Sequence, residues 1–428
     1  MRDALQGLTS RGRAFVTAGV ALIAVSAFVA EKDLLRVGLL VLTLPIVSSL
    51  VVARTRYRLS STRRLGSART AAGQETSVTL RLDNISRLPT GLMLLEDRVP
   101  YVLGSRPRFV LDRVEPRGRR DVTYTVRSEV RGRYSLGPMS IRLADPFGLC
   151  ELHRSFTARD TLVVTPPIHP LPALALSGEW AGSGESRSRS IASAGEDDAG
   201  TREYRQGDDL RRIHWRSTAK VGQLMVRREE QPWQARCTLL LDSRRLAHAG
   251  EGPQSSFEWA VSAAASIGVH LVRHGYFVRL LTDTGANVAS AAHDASGVGS
   301  DFEGALLDAL AVVEPSGNVD LRDAGAALRR GGGDGLVVTI LGALDHEQAG
   351  VLARLRHGTT AAVAVVLDTS TWGPHRTPGT TEGSVALLRA AGWRVVVARA
   401  GDSLPELWGD ASHSARRDDI RAAAGGTW

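Results

Sequence analysis

The chain has 428 residues, of which 43% are hydrophobic, 23% charged and 5% aromatic, an ordinary balance for folded protein and too much chain for one typical core. The formal net charge of +8 is uneven: 37 basic against 24 acidic residues up to position 237, then 16 against 21. The basic half suits an anionic lipid surface or, as the other polyanion, nucleic acid, while two cysteines, Cys150 and Cys237, exclude a disulfide framework and sit in no metal-binding spacing.

The first element is apolar. Ala14 to Ala30 runs 17 residues without a charge, about 25 Å of helix at 1.5 Å per residue. Glu31-Lys32-Asp33 interrupts it, and Leu34 to Val52 follows, about 28 Å by the same rise. Arg36 lies near the start of the second run, where it can snorkel, and Pro45 is tolerable inside a membrane helix. A cleaved signal peptide is the rival reading. It fits poorly, because Phe28 stands where a small residue is needed and a second apolar run follows at once. Residues 1–58 therefore read as a two-helix transmembrane hairpin. Arg2, Arg11 and Arg13 precede it, and Arg54, Arg56, Arg58, Arg63 and Arg64 follow it. The positive-inside rule puts both termini and everything after the hairpin in the cytoplasm.

Residues 65–170 read as short strands with Gly and Pro between them. Thr76–Leu82 alternates, and Arg108–Leu111, Asp121–Val126, Met139–Leu143 and Asp160–Val164 are further candidates. This spacing predicts a small β-sandwich. Residues 178–201 are rich in Ser, Gly and charge and read as a flexible segment. From 235 to 410 the pattern alternates. Strands are expected at Arg236–Leu241, Tyr276–Leu281, Leu336–Leu341, Ala361–Leu367 and Trp393–Ala398. Helices are expected at Ser256–Arg273, Asp301–Val313, Glu347–Arg356 and Glu382–Ala391. Alternation of this kind predicts a parallel, doubly wound α/β sheet, with a polar tail over 411–428.

The densest chemistry lies between the two soluble regions. Residues 195–230 collect Arg202, Tyr204, Gly207, Asp208, Asp209, Arg211, His214, Trp215, Lys220 and Arg227. So much charge is costly to bury unless paired. Asp208 and Asp209 follow a Gly, as caps of a short helix would, and can pair with nearby Arg. Ile213 and Trp215 read as apolar anchors, and His214 between them reads as structural.

These residues carry a family resemblance. Arg202-Glu203-Tyr204, Gly207-Asp208-Asp209, Arg211, Ile213-His214-Trp215, Ala219-Lys220 and Leu224-Met225-Val226-Arg227 resemble the domain-of-unknown-function-58 family of bacteria. Upstream, Arg131 to Pro138 and Asp145-Pro146-Phe147-Gly148-Leu149 are similar to the same family's preceding segment. The resemblance implies a von Willebrand factor type A-like C-terminal domain. Such domains often hold Mg²⁺ on Asp-x-Ser-x-Ser after the first strand, because a hard cation needs oxygen ligands. Here the segment is Asp242-Ser243-Arg244-Arg245-Leu246, with Arg and Leu at the hydroxyl positions and Gly342 where a later Asp is expected. Asp242 is read as the remnant of a degenerate site, and no metal or cofactor is expected.

Other candidates point to no chemistry. His270 and His274 have the i,i+4 spacing of a metal pair but only Glu258 on their helix, and they read as packing or solvent-facing. Gly331-Gly332-Gly333 lacks the Lys of a phosphate loop, and no nucleophile elbow is present. The resemblance implies a non-enzymatic, membrane-tethered cytosolic scaffold or adaptor that works with a MoxR-type AAA+ ATPase in the assembly or maturation of partner proteins. Arg202, Tyr204, Asp208, Asp209, Arg211, His214, Trp215 and Arg227 are then its partner- or domain-docking residues. Two other classes remain: an envelope-associated enzyme with an unrecognised site, and a nucleic-acid binder using the basic N-terminal half. Only Tyr204 and Trp215 interleave the basic motif with aromatics, which speaks against the second.

Overall fold

The computed structural model describes residues 7–54, 59–87, 89–145, 147–173, 201–204, 213–227, 236–290, 298–330, 335–355, 361–373 and 380–410. The chain divides into two units, Met1–Thr165 and Pro166–Trp428.

The first unit begins with helices α1 (Ser10–Val29) and α2 (Lys32–Arg54), both long and apolar enough to cross a membrane. At its start α1 extends past the apolar run because a cap, not hydropathy, sets its end. Thr9 caps α1 by accepting from the Gly12 amide at 3.1 Å, and Ala30 turns the chain in the left-handed conformation. Small residues let the two backbones approach. Gly12, Gly19 and Ser26 are buried at seven-residue spacing on α1. A Cβ on Gly19 would meet Leu42 at 3.0 Å, and one on Gly38 would meet Ile23 at 2.9 Å.

Among the described residues of this unit ten strands follow: β1 (Leu59–Leu65), β2 (Arg69–Ala71), β3 (Glu75–Asn84), β4 (Met93–Asp97), β5 (Arg108–Leu111), β6 (Arg119–Arg127), β7 (Gly132–Leu136), β8 (Met139–Ala144), β9 (Glu151–Ser155) and β10 (Asp160–Thr165). They form three small sheets, β1-β3-β6, β2-β10-β7 and β5-β4-β8-β9, antiparallel except for the β2–β10 pair. Alternate residues of β3 point inward, and Val78, Leu80 and Leu82 join Leu95, Leu136, Ile141 and Leu162 in one apolar cluster shared by all three sheets.

A cluster of charged groups sits inside this unit. Arg63 and Arg64 belong to β1, and Arg63 does not face outward as a flanking charge: its side chain is 4% exposed. Its guanidinium donates to both Asp97 oxygens at 3.1 and 2.6 Å, to Asp160 at 2.8 Å and to the Leu136 carbonyl at 3.1 Å. Tyr124 donates to the same Asp97 at 2.6 Å. Burial works against the Arg63 charge, but its bonds to Asp97 and Asp160 outweigh it and raise its pKa. Gly137, at φ +98°, passes so close that a Cβ would lie 2.9 Å from the guanidinium. The Arg131–Pro138 segment of the sequence motif is thus part of the wall around this ion pair.

The second unit is built on one six-stranded sheet of β13 (Arg236–Leu241), β14 (Phe277–Thr282), β15 (Asn287–Ser290), β16 (Leu336–Leu341), β17 (Ala361–Leu367) and β18 (Arg394–Ala398), in the order β15-β14-β13-β16-β17-β18. All neighbours are parallel except edge strand β15, which returns antiparallel on β14. Leu239 and Leu241 face one core and Leu240 the other. Helices α4 (Ser256–Arg273) and α5 (Val298–Val312), with Trp408 of residues 404–410, cover the first face. Helices α6 (Arg322–Arg330), α7 (His346–Ala353) and α8 (Thr380–Ala390) cover the second. Central strands buried on both faces must be largely apolar, which is why β16 reads LVVTIL and β17 AAVAVVL. A separate two-stranded pair, β11 (Thr201–Glu203) with β12 (Met225–Arg227), encloses a short helix, α3 (Trp215–Val221).

Candidate functional site

In an open α/β sheet, ligands sit outside the carboxyl ends of the strands, where the strand order reverses. Here the reversal lies between β13 and β16, and Asp242 and Gly342 are the first residues past those two strands. Asp242 is wholly buried. Its carboxylate accepts from Arg244 Nε at 2.8 Å, Arg244 Nη2 at 2.7 Å, the Arg244 amide at 3.2 Å and the Gly342 amide at 3.1 Å. The guanidinium, 3% exposed, also donates to the carbonyls of Val319 at 3.3 Å and Ala343 at 3.2 Å.

This geometry does not fit the Mg²⁺ that the family resemblance implies. Both Asp242 oxygens are engaged by a cation that belongs to the chain, and no lone pair remains directed at open space. Gly342 is required where it stands, since a Cβ there would lie 2.2 Å from the Ala247 carbonyl oxygen. An Asp at 342 would collide with the backbone of residues 245–247, and the Ala343 amide closes the gap by donating to Ala247 at 2.7 Å. Among the described residues, no three His, Cys, Asp or Glu side chains gather as a metal-binding group.

The pair is surrounded by polar residues that sequence reasoning missed. Asp283, the first residue past β14, accepts from the Ser243 amide at 3.1 Å, from the Ser243 hydroxyl and from the Ser316 hydroxyl at 2.6 Å. His248 bonds the Asp242 carbonyl through Nε2 at 2.8 Å and Ser256 Oγ through Nδ1 at 3.1 Å. Burial, against the pull of Asp242, lowers the His248 pKa and keeps the ring neutral, so Nε2 donates to the carbonyl and Nδ1 accepts from Ser256. The signal for Asp283 was present in the sequence: Leu239-Leu240-Leu241-Asp242 and Leu280-Leu281-Thr282-Asp283 share one pattern of strand followed by carboxylate. His248 had no such signal, because its partners come from β13 and α4. Outside this closed site, Leu246 is 80% exposed and Val319 69% exposed on the same edge.

The charged motif is described in part. Arg202 lies in β11 opposite Val226, and Arg227 lies in β12 opposite Thr201, while Asp208, Asp209 and Arg211 fall outside the described residues. The expected flexible segment at 178–201 lies almost wholly outside them, and the tail at 411–428 wholly so. Tyr204 extends the β11–β12 pair by donating its amide to Leu224 at 2.8 Å. His214 is the N-cap of α3: its Nδ1 accepts from the Ser217 amide at 3.2 Å and lies 2.8 Å from Ser217 Oγ. The helix after the acidic pair therefore starts at Trp215 under a histidine cap. Ile213 is half-buried, and its backbone bridges to Val226. Trp215 is not an anchor: it is 69% exposed, with Val221 and Leu224 exposed close by in sequence. Away from the motif, His270 and His274 stack at 4.1 Å between centroids, and His274 bonds the His270 carbonyl at 2.7 Å.

Comparison with known proteins gives one family and distant structural likenesses. No curated protein matches this chain. The CARDB domain of a Pyrococcus furiosus protein, solved in complex with di-metal ions, is 10% identical with a TM-score of 0.20, covering 26% of this chain and 96% of that one. A von Willebrand factor type A protein from Catenulispora acidiphila is 12% identical with a TM-score of 0.27, covering 42% of each chain. Likenesses at these TM-scores carry no weight for fold or function. The family model described as protein of unknown function DUF58 matches residues 200–371, which hold the charged motif and the sheet as far as β17. Over this segment the resemblance carried by Arg202-Glu203-Tyr204, Ile213-His214-Trp215 and Leu224 to Arg227 is family membership: residues 200–371 belong to the DUF58 family.

Proposed function

We propose that this protein is a membrane-tethered scaffold or adaptor, that its two apolar helices cross the membrane as a hairpin with the soluble units on the cytosolic side, and that its strands 59–165 form a β-sandwich. The sheet of the second unit offers a docking edge instead of an active site. The observation that carries this reading is the buried Arg244–Asp242 pair at the point where the strand order reverses. A guanidinium fills the position where such sheets usually take a ligand or metal, while Leu246 and Val319 stand exposed around it. An edge closed inside and apolar outside suits a protein surface. The exposed Trp215 on the family motif offers a second contact of the kind that anchors interfaces. The partner in this reading is a MoxR-type AAA+ ATPase acting on client proteins.

Affinity purification of the full-length tagged chain from its native membranes, with identification of what co-purifies, tests it. The wild type retains an AAA+ ATPase, and Leu246→Asp and Trp215→Asp each reduce its recovery about tenfold while the variants keep the wild-type melting temperature. Absence of any ATPase above an unrelated two-helix control ends the partnership. Unchanged recovery with both variants ends the assignment of the docking surfaces.

A further inference from the structure

The Asp145–Leu149 motif is absorbed neither by the ion pair of the first unit nor by the family segment of the second. Its place in the fold is specific. The Asp145 carboxylate accepts from the Phe147 amide at 3.2 Å and the Cys150 amide at 2.7 Å, and the Gly148 amide donates to the Asp145 carbonyl at 3.0 Å. This pins a turn whose backbone is fixed against the start of α1. The Thr9 amide donates to the Leu149 carbonyl at 3.0 Å, and the Thr9 hydroxyl to the Gly148 carbonyl at 2.7 Å. The Glu151 amide donates to the Gly7 carbonyl at 2.7 Å. Gly12 makes room for this contact, since a Cβ there would lie 2.2 Å from the Leu149 oxygen.

The second helix is reached as well. The contacts of Gly19 with Leu42 and of Gly38 with Ile23 set an antiparallel register in which Gly12 lies level with Ser49. Ser49 is within hydrogen-bond reach of the Cys150 thiol. The turn is thus clamped to both helices at one level, the first turn of α1. Leu149 and Cys150 point inward and are buried, but Phe147 stands 60% exposed. Arg11 and Arg13, on the same turn of α1, are exposed too.

We propose that this turn is an interfacial lipid contact: Phe147 enters the headgroup region of the bilayer that α1 and α2 cross, and Arg11 and Arg13 engage its anionic headgroups. The inference rests on the reading of the two helices as membrane spans. A single exposed apolar side chain ordinarily means nothing. This one is held rigidly at the end of a span, where aromatic rings are favoured, and beside cations that suit anionic lipid. On α1 itself, further along the span, Phe15 and Val20 are also exposed. The hairpin and the strands that follow it would then meet the membrane as one piece.

The test uses the full-length protein in vesicles of phosphatidylcholine and phosphatidylglycerol, with a nitroxide attached at Phe147→Cys or at Val20→Cys. The wild type, whose Cys150 and Cys237 are buried, gives the labelling background. The readout is the ratio of oxygen to nickel-chelate collision rates, which rises with depth in lipid. The Val20 label, mid-span, shows a high ratio, and the Phe147 label shows one about threefold above that of the free nitroxide in buffer. A lipid-like Val20 label with a Phe147 ratio equal to that in buffer overturns the interfacial contact and leaves the span standing. A water-like Val20 label overturns the span, and the contact with it.

Discussion

Among the described residues, each unit holds a buried arginine–aspartate pair, and the two pairs are built differently. Arg63 and Asp97 come from β1 and β4, and Asp160, Tyr124 and the Leu136 carbonyl come from three further strands. That guanidinium ties together parts of the chain up to 97 residues apart. Arg244 and Asp242 are two residues apart, so this ion pair is local, and it reaches distant chain only through backbone groups, the carbonyls of Val319 and Ala343 and the Gly342 amide. Its consequence is positional: it closes the crevice between β13 and β16. The same chemical pair is a staple in one unit and a plug in the other. The difference lies in where the partners come from, not in burial or bond length, which are alike at 2.6 and 2.7 Å.

The comparison breaks first at the staple. Asp97→Ala leaves the Arg63 charge buried with only Asp160 beside it, and the first unit should lose about 3–5 kcal/mol in urea unfolding of the detergent-solubilised chain. Replacing both partners, Arg63→Met with Asp97→Leu, should recover part of that loss, because an apolar pair carries no desolvation cost. At the plug, Asp242→Ala should also cost about 3 kcal/mol. Arg244→Ala should cost less, because the Asp242 carboxylate keeps the Arg244 and Gly342 amides as donors. If Arg244→Ala is as damaging as Asp242→Ala, the plug is a staple after all. A smaller effect is expected of Gly342→Ala, where the Cβ must push back the Ala247 carbonyl at a cost of about 1–3 kcal/mol. A neutral result there would show that residues 245–247 are free to move away from the sheet.

How much of this was legible depends on whether partners are local. Arg236–Leu241, Leu336–Leu341 and Ala361–Leu367 were readable to the residue, because burial on both faces demands largely apolar runs. The sequence of β1, LSSTRRL, gives no such signal, since its central arginine is admitted only by carboxylates arriving from β4 and β10. Helix α6 was missed for a similar reason: RDAGAALRR is short and polar, and it is held by burial of Ala324 and Ala327 against the sheet. At the site, Asp242 and Arg244 were readable as a carboxylate with a cation in place of a hydroxyl. The motif residue Trp215 was misread as an anchor, because hydropathy cannot say which side of a seven-residue helix faces out. Asp283, Ser316 and His248 complete the site from outside the Asp242–Leu246 segment, and periodicity does not reveal such convergence.

The finest distinction between the pairs is in pH. Arg63 has its pKa raised, so no ordinary acid or neutral pH touches its charge. The plug has a titratable neighbour, because His248 holds the Asp242 carbonyl and is kept neutral by burial. The groups around its ring are the Asp242 and Asp283 carboxylates, which favour the imidazolium, the Arg244 guanidinium, which opposes it, and Ser256 and Phe257, which carry no charge. With burial dominant, the folded pKa lies below the unfolded value of about 6.5. The neutral ring's contribution is therefore whole above pH 6.5 and is lost as pH falls through that value, since the unfolded chain then binds the proton that the folded chain refuses. The loss is at most about 1.4 kcal/mol for each pH unit between the unfolded and folded values. His270, lowered by burial and by His274, adds in the same direction. The difference between wild type and His248→Gln isolates the plug: the stability of the second unit should fall between pH 7.5 and 5.5 in the wild type and fall less steeply in the variant. Equal slopes would mean that His248 takes up its proton at the same pH in the folded as in the unfolded chain, and burial would then not be what holds the ring neutral.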